Sequence, residues 1–123
     1  MADGTIHTEK IFDAETITKN TSTDSSAIDL QGKRPGGNFS VQVELTGTGV
    51  ATIEWIGSND NVDYIKPNGA QSIATGMLAT SGPGSDGKHI YGFSPALVRY
   101  LKIRVTETGT ANNVVVTITL AIQ

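Results

Sequence analysis

The segment VVVTITLAI, residues 114–122, decides the fold, because every second side chain in it is large and apolar. One face would carry Val114, Val116, Ile118, Leu120 and Ile122, and the residues between them are small or β-branched. Strict alternation over this length predicts a strand with one buried face. A helix would repeat every 3.6 residues, and the chain shows no sustained pattern of that kind.

The same alternation recurs at three other places, residues 39–45, 51–56 and 101–106. Weaker patterns predict further strands at about 8–18, 26–31, 62–65, 71–79 and 89–94. Turn residues separate these segments. They include Arg34–Asn38, Ser58–Asn61 and a longer glycine-rich loop at Ser81–Gly87. The polar stretch 19–25 lacks alternation and is predicted to be irregular.

Two connections are predicted to be hairpins. Thr46–Gly49 is short and rich in glycine, so strands 39–45 and 50–57 are expected to pair antiparallel. Residues 107–113 are expected to join the last two strands in the same way. Closely spaced strands without intervening helices predict an all-β protein. The expected architecture is a single antiparallel β-sandwich or jelly-roll-like domain over residues 1–123, with 1–8 as an extended N-terminal arm.

Composition excludes several classes of function. The 123 residues contain no cysteine, which rules out disulfides, thiolate zinc sites and a cysteine nucleophile. The formal net charge is −3 and no basic face is visible, so neither nucleic acid nor a membrane is expected as a partner. No apolar run has the length of a membrane-spanning helix, and the start of the chain lacks the features of a signal peptide. The sequence therefore predicts a protein made in the cytoplasm.

Most candidate motifs lack a required part. Gly82–His89 matches a phosphate-binding loop up to Lys88, but His89 replaces the required Ser or Thr and a strand pattern follows. Asn59–Asp63 concentrates oxygen ligands without the glycine and distal glutamate of an EF-hand, so a capped turn is expected and a calcium loop is the alternative. The two histidines, His7 and His89, stand far apart in the chain and have no second histidine nearby.

Two further patterns, a possible carboxylate pair and a possible aromatic platform, have either a functional or a purely structural interpretation. Glu44 and Glu54 would face each other across the first predicted hairpin, as a glycosidase pair requires, but solvent exposure is the default on that face. Trp55 shares its parity with Ala51 and Ile53, so a core position is favoured over a sugar-binding platform with Tyr64, Tyr91 and Tyr100. No catalytic, cofactor-binding or metal-binding residue is therefore predicted, and the protein is expected not to be an enzyme.

Short segments resemble small cysteine-free β-proteins found among the structural proteins of tailed bacteriophages. The segments are IFDAET at 11–16, SSAIDL at 25–30, GNFSVQ at 37–42, GSND at 57–60, FSP at 93–95 and LKIRVTET at 101–108. This resemblance implies a virion component, most directly a capsid decoration (cement) protein on the outside of the shell, and a tail or adaptor role is the alternative. It carries no site motif that could be transferred to individual residues.

A decoration protein implies particular partners. The resemblance implies the major capsid protein or other virion proteins, and threefold self-association, so a homotrimer located in the virion is expected. Residues 1–25 and the loop at 81–88 would supply contact segments. A carbohydrate-binding adhesion module is the alternative from another class, and a small hydrolase is a third.

Overall fold

The computed structural model describes residues 6–31 and 38–123. Within these ranges the chain forms strands and turns and no helix. The strands are β1 (His7–Ile17), β2 (Ser22–Asp24), β3 (Ile28–Asp29), β4 (Phe39–Gly47), β5 (Ala51–Ser58), β6 (Ala74–Met77), β7 (Lys88–Phe93), β8 (Tyr100–Glu107) and β9 (Val114–Ile122). Accordingly, no helix in this part of the chain is long and apolar enough to span a membrane.

The strands form two antiparallel sheets that pack face to face, which confirms the predicted β-sandwich. Sheet A has the order β1-β9-β4-β7, and sheet B has the order β2-β8-β5-β6, with β3 also paired to β8. The alternating apolar side chains of β4, β5, β8 and β9 point between the sheets and form the core. Trp55 lies in this core, as its parity predicted.

The strand order is that of a jelly roll. The first strand pairs with the last (β1 with β9), the second with the second-last (β2 and β3 with β8), then β4 with β7 and β5 with β6. The chain is therefore arranged like a long hairpin that has been rolled up, and the contacts of β9 with β4 and of β8 with β5 complete the two sheets.

Both predicted hairpins are wrong. β4 pairs with β7 and β9 in sheet A, whereas β5 pairs with β6 and β8 in sheet B, so Thr46–Gly49 crosses from one sheet to the other. Residues 107–113 cross in the same way between β8 and β9. Alternation shows which face of a strand is buried. It does not show in which sheet the strand lies, because a strand in either sheet of a sandwich buries one face against the other sheet.

The N-terminal part of the chain contains more strand than predicted. β1 already begins at His7, which pairs with Ile122, and Thr8 pairs with Ala121. The structure thus places the last two residues of the predicted arm in sheet A, while residues 1–5 lie outside the described residues. Ser22–Asp24, expected to be irregular, pairs with β8 as β2, because a polar edge strand needs no alternation to bond through its backbone.

The remaining predicted strands and turns differ less from the structure. The weak pattern at 62–65 contributes only a bridge between Ile65 and Gly57. The patterns at 26–31 and 71–79 shorten to β3 and β6. The pattern at 89–94 becomes β7, and the glycine-rich loop before it leads directly into that strand. The predicted turn at 34–38 lies outside the described residues except for Asn38, which exchanges two backbone hydrogen bonds with Gln123.

The central strand β9 offers a direct test of the core. β9 lies between β1 and β4 in sheet A. The side chain of Ile118 points into the core and is fully buried, whereas Val115 on the same strand faces outward and is half-buried. Ile118→Ala is expected to lower the free energy of unfolding by about 2–5 kcal/mol because it leaves a cavity in the core. Val115→Ala is the control and should cost less than about 1 kcal/mol. Urea denaturation measures both, and equal effects would contradict this assignment of faces.

Candidate functional site

The side chains that sequence analysis weighed for catalysis are not brought together. His7 lies on β1 and His89 on β7, the two opposite edges of sheet A. Glu44 is in sheet A and Glu54 in sheet B, so the two carboxylates that were considered as a pair do not face each other across a hairpin. Among the described residues, no three His, Cys, Asp or Glu side chains cluster as metal ligands would.

The acidic turn at Ser58–Asp63 is a capped turn, as predicted. Asp60 Oδ1 accepts hydrogen bonds from the Ser58 hydroxyl (2.7 Å), the Val62 N–H (2.9 Å) and the Asp63 N–H (3.0 Å). These bonds, that from Ser58 first, hold the pKa of Asp60 at about 2, below the usual 3.8. This carboxylate oxygen therefore shapes the loop.

Among the described residues, Glu107 is the ionised group with the most extensive set of hydrogen bonds, and no sequence pattern had singled it out. Its buried carboxylate accepts four backbone N–H groups, from Val50 (2.8 Å), Asn20 (3.0 Å), Thr110 (2.9 Å) and Gly109 (2.7 Å). These bonds, led by that from Val50, outweigh burial and hold the pKa of Glu107 at about 2 instead of 4.5. A signal did exist, since Glu107 continues the inward-facing series Leu101, Ile103, Val105.

The four donors come from three different connections, residues 18–21, 48–50 and 108–113. Each of these connections crosses between the two sheets, and further bonds join them, including Gly49 N–H to Asn113 O (3.1 Å) and Thr108 N–H to Val50 O (2.9 Å). Glu107 therefore acts as a structural anchor at this end of the sandwich, which we call the anchored end.

The opposite end of the sandwich exposes apolar side chains. Leu97 is 98% exposed, Val62 76% and Ile65 63%. Their two loops are tied together by the Arg99 N–H, which donates to Asn59 Oδ1 (2.9 Å). We call Val62, Ile65 and Leu97 the apolar loop surface. Beside it, Leu30, Val98 and Arg99 help to line an open groove of about 530 Å³.

A close contact holds the Leu97 loop in place. Val98, itself partly buried, packs against the core, and a Cβ at Gly57 would lie 2.7 Å from Val98 Cγ1. Only glycine leaves room for that approach. The neighbouring Leu97 then projects into solvent, so its exposure follows from how Val98 is packed.

Two tyrosines lie near each other on the outer side of sheet B. Lys102 Nζ is 4.2 Å from the centre of the Tyr64 ring, and Arg99 Cζ is 4.9 Å from that of Tyr100. Burial first, and then the nearby Tyr100, raise the pKa of the Tyr64 hydroxyl. We call these four side chains the tyrosine patch. The remaining tyrosine, Tyr91, stacks on His89 at the edge of sheet A.

Residues 59–73 turn back beside β5, where Ile65 exchanges two backbone hydrogen bonds with Gly57. Lys66 pairs with Glu54 (2.9 Å), and Ile56, which faces away from the core by alternation, is nevertheless buried. Arg104 on β8 and Asp24 on β2 form a second ion pair (2.7 Å) on the same sheet. The outer surface of sheet B is therefore a layer of paired charges, with the tyrosine patch among them.

No family model matches the chain, and no curated protein matches it. Solved structures share its fold. A periplasmic inhibitor of g-type lysozyme from Aeromonas hydrophila, PliG, has a TM-score of 0.51 and 14% identity over 96% of this chain and 86% of its own. VP2 in the subviral particle of infectious bursal disease virus has a TM-score of 0.55 and 11% identity, again over 96% of this chain.

This chain spans only 32% of VP2. The SPBc2 prophage-derived protein YomS has a TM-score of 0.49 and 13% identity, over 96% of this chain and 92% of its own. At such low identity, the likenesses to PliG and VP2 show that the β-sandwich is shared and nothing more.

The Glu107 anchor predicts a specific pH dependence. Because the pKa is lowered on folding, the stabilisation is fully present above the unfolded value of 4.5 and is lost as pH falls through about 2. Glu107→Gln should lower Tm at pH 7 by roughly 5–10 °C, since an amide offers one acceptor oxygen to four donors. The difference in Tm between Glu107→Gln and the wild type should shrink steadily as the pH falls from 4.5 to 2.

Glu44→Gln is the matched control, because Glu44 is exposed on the outer side of sheet A. Its Tm should follow that of the wild type at every pH. Thermal melts followed by circular dichroism measure all three proteins. A Tm difference for Glu107→Gln that stays constant down to pH 2 would contradict the anchoring role of the ionised carboxylate.

Proposed function

We propose that the protein is a non-enzymatic structural component of a virion, specifically a capsid decoration protein that binds the outer surface of the major capsid lattice and stabilises it. The observation that carries the proposal is the apolar loop surface, which presents Val62, Ile65 and Leu97 to solvent from two loops that are tied to the sandwich. The segments that resemble tailed-phage structural proteins support the same reading.

The apolar loop surface has the make-up of a protein-binding site. Exposed apolar side chains grouped on neighbouring loops, with polar residues beside them, are typical of surfaces that bind another protein. Here the rim is supplied by Asn59 and Arg99, whose mutual hydrogen bond keeps the two loops in one arrangement. A surface that is already ordered loses little conformational entropy on binding, which suits attachment to a repeating lattice.

The proposal that the protein is not an enzyme rests on how its charged groups are used. Asp60 and Glu107 accept hydrogen bonds that shape loops, and Glu54 and Asp24 sit in ion pairs with Lys66 and Arg104. These carboxylates serve the fold. A decoration protein needs only a stiff body and a surface that fits its partner.

The partner and location follow from the proposal. The major capsid protein is the proposed binding partner, other virion proteins are the alternative, and the virion is the proposed location. A tail or adaptor component would use the same loop surface on a different partner. Self-association is part of the proposal, with the trimer that the resemblance implied as the expected form.

Binding to shells tests the function. Empty capsid shells of the virus that encodes the chain are mixed with the purified protein and sedimented. The wild type should pellet with the shells, and the double variant Val62→Asp, Leu97→Asp should bind at least ~10-fold more weakly, because charge replaces apolar contact at the centre of the interface. Thr48→Asp, an exposed change at the anchored end, should bind like wild type.

Either of two results would contradict the decoration role. One is wild-type protein that stays in the supernatant at saturating concentration. The other is a double variant that pellets as well as Thr48→Asp. Binding to purified tails instead of shells would move the proposal to the tail or adaptor alternative.

A carbohydrate-binding adhesion module is the second candidate, and the tyrosine patch favours it. Tyrosine rings on a flat sheet surface are typical platforms for sugar rings, although here Lys102 and Arg99 lie over them. Calorimetric titration with host cell-surface polysaccharide should then show binding that Tyr64→Ala and Tyr100→Ala abolish and Tyr91→Ala retains. Binding unaffected by the first two variants would exclude the patch.

A further inference from the structure

Three of the four sheet edges in the described part of the chain are protected against pairing with another strand. β1 carries two register shifts, and Ala14, within the second of them, has φ of 48°. β2 and β3 are short pieces separated by the buried Ser25. β6 has four residues, one of them Gly76 with φ of 64°. Bulges, interruptions and short length are the usual means of preventing edge-to-edge association.

The fourth edge, β7, has none of these features. Its six residues pair with β4 in unbroken register from Phe93 to Lys88. It contains no proline, and Lys88 is its only permanent charge. Ile90, on the outer side, is 62% exposed and lies in an open groove with Gln42 and Pro83. An unprotected edge with an exposed apolar side chain is suited to adding a strand.

The register shows which backbone groups of β7 point away from the sheet. Leu45 N–H donates to Gly87 O (2.9 Å), and hydrogen-bonded pairs in an antiparallel ladder alternate with non-bonded ones. His89, Tyr91 and Phe93 therefore face β4, whereas Lys88, Ile90 and Gly92 present their N–H and C=O groups outward. The Ile90 N–H donates instead to Nδ1 of His89 (2.8 Å), in agreement with this direction.

We propose that β7 pairs with β7 of a second copy of this chain, antiparallel about a two-fold axis through Ile90, so that two four-stranded A sheets become one continuous sheet. In this register Ile90 faces the partner's Ile90, and Lys88 faces the partner's Gly92. All three outward-facing residues then lie in hydrogen-bonded pairs. A shift of the axis by one residue in either direction leaves one of them unpaired.

The side chains are self-complementary in the same register. The two Ile90 side chains meet on the outer side, where each loses solvent-exposed apolar surface. Each Lys88 lies opposite a glycine, so no like charges face each other directly. On the inner side His89 lies opposite the partner's Tyr91, extending the stacking of these two rings seen within one chain at 4.2 Å. The Ile90 N–H exchanges its bond to His89 for one to the second copy.

This contact is independent of any threefold association and of the proposed virion role. It predicts assemblies with an even number of copies, two if the chain is otherwise monomeric and six if trimers form. Sedimentation velocity at micromolar concentration measures the mass. Ile90→Pro removes an outward N–H and should halve the mass without disturbing β4 pairing, since proline is tolerated at such edge positions. Ile90→Lys should also halve it.

Thr48→Lys is the control, because Thr48 is exposed at the anchored end, outside both β7 and the apolar loop surface. It should leave the mass unchanged, and circular dichroism checks that each variant is folded. An odd number of copies in the wild type would overturn the proposal. So would folded Ile90→Pro and Ile90→Lys variants that retain the wild-type mass.

The absence of cysteine from the sequence allows a second test that does not weaken the edge. Hydrogen-bonded antiparallel pairs have Cα atoms about 5.5 Å apart, close enough for a short bifunctional thiol reagent to join two cysteines. Ile90→Cys should therefore form a covalent dimer with such a reagent, and Thr48→Cys should remain largely uncrosslinked. Equal cross-linking of the two variants would contradict pairing through β7.

Discussion

A single buried carboxylate holds together the end of the sandwich where the chain repeatedly changes sheet. Glu107 receives N–H groups from three crossing connections, and without an acceptor those donors would be left unsatisfied inside the protein. A jelly roll depends on such crossings, because its strands pair with partners far away in the sequence. The anchor sets how the three connections lie against one another, and thereby how the two sheets meet.

The two ends of the sandwich consequently have different characters. The anchored end is dense in backbone hydrogen bonds and exposes polar residues such as Thr48 and Thr110. The opposite end displays Val62, Ile65 and Leu97 on loops that are tied to each other by one bond and packed onto Gly57. The hydrogen bonds of the anchored end and the proposed contact surface thus lie in different places, so the residues of that surface can change without loss of the fold.

The edges of the sheets show a similar separation. Bulges, breaks and short length protect β1, β2 with β3, and β6, and these features lower their capacity to pair with other chains. β7 has no such feature, and the side chain of Ile90 on it is exposed to solvent. β7 and the apolar loop surface lie at different positions, and they are the two regions that we propose as contacts.

The sequence by itself determined the all-β class, the inward faces of β4, β5, β8 and β9, the core position of Trp55 and the capped turn at Asp60. These follow from alternation and from side-chain bonds between near neighbours, which are local. Only the tertiary structure decided that β4 and β5 lie in different sheets, since a strand buries the same face in either one. It also made Glu107 an anchor, because its four donors come from segments up to 87 positions away that meet only when the sheets close.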